Sequence, residues 1–225
     1  MLNTTTLQPY PATERLAEAA RYALLRRLAP AIRHDMAGAL QPISMVAVLL
    51  EKRLQKPVPD MAVIGKNVHD INTLAREASS ACMQLMGWLA PKQDVLVAIH
   101  DGVQEAIALV TTELSFQGLS LVNDTASAAA TLPVSVLRGL FMASLLTLTD
   151  TYPGPGSVVL RAAVEPGHTV LTLTLTATPG EGGGDSMAAP AAYRALDWDD
   201  VRALAAASSA GLVLGSGRVE LRFPL

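Results

Sequence analysis

The sequence has a single cysteine, Cys82, which excludes an intrachain disulfide. It also lacks any long apolar run. The longest, Met45 to Leu50, falls far short of the ~18 residues that a membrane span requires. Met1 to Pro11 lacks the basic start and apolar block of a secretory signal. Together these absences predict a bacterial-type cytoplasmic protein with no membrane partner. An excess of basic charge is missing too: 17 Lys and Arg against 20 Asp and Glu leave a net charge of −3, which supplies no counterion-release drive for nucleic acid. With 4 scattered histidines and one cysteine no metal-ligand spacing arises, and Cys82 is expected to fill a helix core. What the 225 residues do offer is 50% hydrophobic content, enough for one large domain or two small ones.

Up to Pro91 the apolar residues recur at helical spacing. Two helices are predicted, about Pro11 to Lys56 and about Asp60 to Leu89, joined by the turn Lys56-Pro57-Val58-Pro59-Asp60 with Asp60 as the cap of the second. Leu24, Leu28, Ile32, Met36, Leu40 and Ile43 mark the stripe of the first, and Ile64, Ile71, Leu74, Ala78 and Leu85 that of the second. Two helices cannot enclose such faces alone. Pairing two hairpins from two chains as a four-helix bundle does so, which makes residues 11–91 a dimerisation hairpin and the protein a homodimer. Pro30 and Pro42 lie inside the first helix and are expected to bend it on either side of residue 34. The basic residues Arg21, Arg26, Arg27 and Arg33, interleaved with apolar ones, are expected to meet an acidic protein surface or water.

His34 falls roughly opposite the line of Ile32 and Met36 at ~100° per residue, so it faces outward. Asp35 follows it directly. A carboxylate there can hold the proton of the ring nitrogen that does not react, leaving the other nitrogen unprotonated and nucleophilic near neutral pH. His69-Asp70 repeats the pair on the second helix, but His69 follows the stripe directly and reads as a solvated or boundary histidine. His100 and His168 fall at a helix start and in a turn, without a catalytic neighbour.

The run His34-Asp35-Met36-Ala37-Gly38-Ala39-Leu40-Gln41-Pro42-Ile43 resembles the phosphoacceptor box of sensor histidine kinases, H-D-hydrophobic-N-N-x-L-x-x-I. His34, Asp35, Met36, Leu40 and Ile43 match it in register, whereas Ala37 and Gly38 depart from it. At the Gly38 position that family often has Asn or Thr, which orients a water to dephosphorylate the partner; Gly38 has no side chain for this. The resemblance implies that His34 is the phosphoacceptor and that the sensor and membrane parts of such kinases are missing.

After Pro91 the pattern changes. Helices are predicted at Val95 to Phe116, Val134 to Thr149 and Trp198 to Ser209, and strands at Leu119 to Asn123, Ser157 to Val164, Thr169 to Thr176, Gly211 to Leu214 and Arg218 to Phe223. Mostly antiparallel strands mixed with helices give an α/β sandwich with helices on one face, and an α+β protein overall. This order is similar to the ATP-binding domain of histidine kinases, so 92–225 is identified as a degenerate domain of that kind. In the family's asparagine box, Thr147 stands where the metal-coordinating asparagine belongs, Ala143 at the earlier asparagine and Asp150 at the usual lysine. Ala177-Thr178-Pro179-Gly180-Glu181 replaces the family's D-x-G-x-G and lacks its adenine-binding aspartate. Gly180-Glu181-Gly182-Gly183-Gly184 has no following Lys-Ser or Lys-Thr, and reads as a flexible loop in place of an ATP lid.

The whole resembles the dimeric histidine phosphotransferases of bacterial phosphorelays, kinase-like in layout without ATP binding. That resemblance implies phosphoryl transfer between receiver-domain aspartates through His34, with Asp35 assisting and no cofactor on this chain, since Mg2+ belongs to the receiver. Response-regulator receivers and a hybrid histidine kinase are the implied partners. The competing expectation is a pseudokinase binding module that sequesters a receiver or regulates a true kinase and transfers nothing; a third is an active kinase holding ATP by other contacts.

Overall fold

The computed structural model describes residues 12–89, 95–152, 154–178 and 194–225. Helix α1 (Ala12–Leu54) and helix α2 (Met61–Leu89) come first. They are followed by β1 (Leu96–Ala98), α3 (Ile99–Phe116), β2 (Leu119–Asp124) and β3 (Thr131–Pro133). A helical segment α4 occupies 134–150, with a π-helical stretch at Leu137–Phe141. Then come β4 (Gly156–Glu165), β5 (His168–Ala177), α5 (Trp198–Ala207), β6 (Gly211–Gly215) and β7 (Arg218–Pro224). The α+β organisation expected from the sequence is the one observed, a helical hairpin followed by a helix-covered sheet. Among the described residues no helix is long and apolar enough to cross a membrane.

The described residues form two compact units, one of Ala12–Arg27 with those from Val95 onward, the other from Leu28 to Leu89. In the second unit α1 runs unbroken through Pro30 and Pro42. Pro42 has no N–H to offer the Gly38 carbonyl, so each proline removes one helical bond without ending the helix. Asp60 caps α2 as expected, its Oδ1 accepting from the N–H groups of Ala62 at 3.0 Å and Val63 at 3.2 Å. Ile64, Asn67, Ala78, Leu85 and Trp88 form the buried side of α2. Arg53 of α1 donates to Asn67 Oδ1 at 2.8 Å, closing the hairpin.

In the other unit a five-stranded sheet has the order β2-β4-β5-β7-β6. All its pairs are antiparallel except β2 with β4, which α4 separates in sequence. The helix from Val95 needs correcting. Leu96–Ala98 is a strand paired with β3, and the helix begins at Ile99. An apolar run of a few residues serves a strand or a helix equally; here the Ile99 N–H bonds the Ala130 carbonyl and the Val134 N–H bonds the Val95 carbonyl, which fixes it as strand. Gly118 turns the chain from α3 into β2 with φ +79°, and an added Cβ would lie 3.1 Å from the Pro155 Cβ.

The first residues of α1 bury Ala17, Ala20 and Leu24. Beside them Arg27 donates to both carboxylate oxygens of Asp150, at 2.7 and 2.8 Å, and meets Glu113 Oε1 at 2.7 Å. The acidic surface expected for the basic cluster is thus, for Arg27, this chain's own. Asp150 and burial act in opposite directions on the guanidinium, and with Glu113 added its pKa lies above the ordinary value. Arg27→Met, which strands two half-buried carboxylates, should lower stability by roughly 1–3 kcal/mol, less than for a fully buried pair because water screens the site. Chemical denaturation checks this.

At the start of α5, Asp197 accepts from the N–H groups of Asp199 and Asp200, both at 3.0 Å, while Asp200 accepts from the Asp197 N–H at 3.1 Å. Arg194 donates to both Asp200 oxygens. Burial pushes the Asp200 carboxyl up, but the bonds from Arg194 and the Asp197 N–H outweigh it and hold the group below the ordinary aspartate range. A depressed carboxyl contributes stability above its unfolded pKa and loses it as pH falls through the folded one. Asp200→Asn should therefore flatten the acid limb of the stability profile, read from melting temperatures between neutral pH and the acid transition.

Candidate functional site

His34 and Asp35 sit on α1 within the hairpin unit, one helical turn before Gly38 and Ala39. The His34 side chain is 76% exposed. Its Nδ1 lies 3.4 Å from Asp35 Oδ1, at the long end of hydrogen bonding. A carboxylate only accepts, so this contact is made by the tautomer that carries the proton on Nδ1. In the neutral ring of that tautomer the lone pair is on Nε2. The arrangement offers a nucleophilic nitrogen to a group arriving from solution.

The surroundings of His34 hold residues that the sequence stripe did not single out. At ~100° per residue Gln41, Met45 and Val48 fall within about 40° of the His34 direction. Met45, Val48 and neighbouring Leu49 are exposed apolar side chains. Their signal was present in the run Met45 to Leu50, because a helix apolar over six consecutive positions cannot turn all of them to one partner. A different flank carries Met36, Leu40 and Leu54, also exposed.

The other histidines differ. His69 is exposed, and among the described residues no hydrogen bond joins it to Asp70. His100 Nδ1 lies 3.3 Å from the Thr125 hydroxyl, which donates to Asn123 Oδ1 at 2.5 Å. Asn123 in turn donates to the His100 carbonyl at 3.2 Å, so this network ties α3 to the end of β2. His168 opens β5 opposite Glu165, rather than lying within the turn.

Ala143, Thr147 and Asp150, the positions compared with the kinase asparagine box, lie in α4. Ala143 and Thr147 are fully buried, and among the described residues the Thr147 hydroxyl has no hydrogen-bond partner. Asp150 is taken up by Arg27. Ala177 ends β5 opposite Gly156. The glycine run from Gly180 to Gly184 lies outside the described residues. Among those described, no three His, Cys, Asp or Glu side chains cluster as a metal site.

No family model matches the sequence, and no characterised protein matches it in sequence. Among solved structures the chain is similar to the histidine kinase AdeS of Acinetobacter baumannii, at 14% identity over 81% of this chain and 96% of that one, with a TM-score of 0.45. It is similar to the blue-light activated histidine kinase of Erythrobacter litoralis at 16% identity over 70% of this chain, with a TM-score of 0.46; the match spans 56% of that kinase, so this chain accounts for about half its length. A bacterial phosphotransferase matches at 16% identity over 96% of this chain and 98% of its own, with a TM-score of 0.37. At such scores the likeness carries no residue correspondence.

Gly38 lies one turn beyond His34, and nothing stands within 4 Å of where its Cβ would be. Gly38→Ala should accordingly stabilise the helix by about 0.5–1 kcal/mol, seen as a higher melting temperature.

Proposed function

We propose that the chain is a histidine phosphotransferase of a bacterial phosphorelay, acting in the cytoplasm between receiver domains. The observation that carries this reading is the exposed His34 ring, with Nδ1 turned to Asp35 and Nε2 free. Nε2 attacks the phosphorus of an aspartyl phosphate. The new N–P bond forms as the bond from phosphorus to the aspartate oxygen breaks, and the receiver's carboxylate leaves with that electron pair. The positive charge that develops on the ring is shared with Asp35 through Nδ1–H. In the return step a second receiver's aspartate attacks, and His34 is regenerated. Both phosphorylated forms are high in energy, so in-line positioning governs the rate and ATP is not needed. The receiver supplies Mg2+ and the acidic pocket.

The apolar strip of Met45, Val48 and Leu49 beside His34 suits the docking of such a domain, an apolar patch within a polar rim. Met36, Leu40 and Leu54, exposed on the hairpin, suit its pairing with a second hairpin as a homodimer. Burial of Ala143 and Thr147 and capture of Asp150 by Arg27 argue against a magnesium–triphosphate site at these positions. The rival reading, a pseudokinase that holds a receiver or a kinase without transfer, is favoured by that same loss, and His34 separates the two.

With phosphorylated receiver as donor, the unaltered chain should acquire acid-labile label. His34→Gln should abolish the label while leaving the oligomeric state unchanged; Asp35→Asn should slow transfer without preventing receiver binding, and His69→Gln should leave both intact. Labelling of the His34→Gln protein at the original rate, or a receiver that binds but never transfers, would replace the phosphotransferase with the binding module. Calorimetry with ATP and Mg2+ should give no binding, and micromolar affinity would instead favour the kinase.

A further inference from the structure

The sheet ends on β6, whose partner among the described residues is β7 alone. Along β7 the backbone alternates between its two neighbours. The Gly217 carbonyl accepts from the Leu175 N–H at 2.7 Å, and the Leu225 N–H bonds the Gly167 carbonyl, so the odd-numbered residues address the β5 side. Arg218, Glu220 and Arg222 therefore address β6, where they stand opposite Gly215, Val213 and Gly211. That leaves the N–H and C=O groups of Leu212 and Leu214 turned to the open edge, and among the described residues nothing bonds them.

This edge carries none of the usual safeguards against pairing, which are a charge, a proline or a bulge. Its register with β7 is continuous and its five residues are all apolar or glycine. Val213 is 52% exposed on the outer face beside Glu220, and Leu214 is 37% exposed on the core side beside the buried Val219. Among the described residues the hydrophobic layer is thus uncovered where the sheet stops. The opposite edge, β2, is guarded: Asp124 is paired with Arg161, and the Asn123 amide is bound to His100 and Gln104.

The strand reads the same in both directions, Gly211-Leu212-Val213-Leu214-Gly215. We propose that β6 pairs with β6 of a second copy of this chain, antiparallel about a two-fold axis at Val213, so that two five-stranded sheets become one. In this register Val213 faces Val213 of the second copy, and Leu212 and Leu214 exchange N–H···O bonds with Leu214 and Leu212 of that copy. The leucines cover each other's exposed flanks on the core side. Glycine faces glycine at both ends, so no side chain opposes the approach, and a slip of one residue would set leucine against valine on opposite faces. The contact is isologous, as a two-fold pair requires. It is separate from the hairpin and does not rest on the function proposed for His34.

Val213 and its counterpart form a non-hydrogen-bonded antiparallel pair, whose Cβ atoms lie about 4.5–5.5 Å apart. Full-length protein carrying Val213→Cys and Cys82→Ser, treated with oxidised glutathione, should run as a disulfide-linked dimer on a non-reducing gel. Val122→Cys in the same background, on the guarded edge, should not. Val213→Lys sets two like charges face to face across the axis. Its sedimentation mass should fall at least twofold below that of the unaltered protein, with an unchanged circular dichroism spectrum. An uncrosslinked Val213→Cys protein, or a Val213→Lys protein that keeps the original mass, would overturn the pairing.

Discussion

The sheet unit depends on one helix having no solvent face. From Leu140 to Thr149 every residue of α4 is buried, and a helix enclosed in this way must satisfy its polar groups from within. Ser144 donates to the Leu140 carbonyl at 2.7 Å and Thr149 to the Leu145 carbonyl at 3.0 Å. The Thr147 hydroxyl is the exception, buried with no hydrogen-bond partner among the described residues, and the remaining side chains from Leu140 to Leu148 are apolar. Ala143 and Thr147 are core side chains here, both at 0% exposure. At the helix end the chain emerges as Asp150, and that carboxylate is claimed by Arg27 of α1. Packing and charge thus close the same stretch.

Much of this was legible in the sequence, because the longer elements repeat at their own periods. The two strands on either side of Glu165 to His168, the helix beginning at Trp198 and the Asp60 cap each carry a local signal of alternation, capping or turn chemistry. The short pair β1 and β3 carries none. Three residues are too few to display a period, and their identity as strands comes from each other and from the bonds at Ile99 and Val134. The partners of Arg27 were hidden for a different reason: Asp150 lies 123 residues away, and a long-range ion pair leaves no mark on local pattern. For His34 the residue, its outward direction and its acidic neighbour were readable from one turn of helix. The exposed strip of Met45 and Val48 was obscured because those residues are continuous in sequence with the stripe that faces the second helix.

The fold shifts the ionisation of several groups, and all of them are engaged in ion pairs. Arg27 joins α1 to the ends of α3 and α4, Arg194 and Asp200 fix the start of α5, and Glu220 is held below the ordinary glutamate range by Arg222, against the opposing effect of burial, with Arg218 adding to it. His34, by contrast, stands 76% exposed on its helix, beside Asp35. For an enzyme that carries out its chemistry alone this would be a poor site, since strong catalysis draws on desolvation and preorganised charge. A transfer site used by a partner has a different requirement. On the proposed reading the receiver brings the phosphoryl group, the metal and the acidic pocket, and the electrostatic environment is completed only when the two proteins meet. Burying His34 in this chain would block the in-line approach that the proposed reaction needs, so exposure is what this half of the site has to supply.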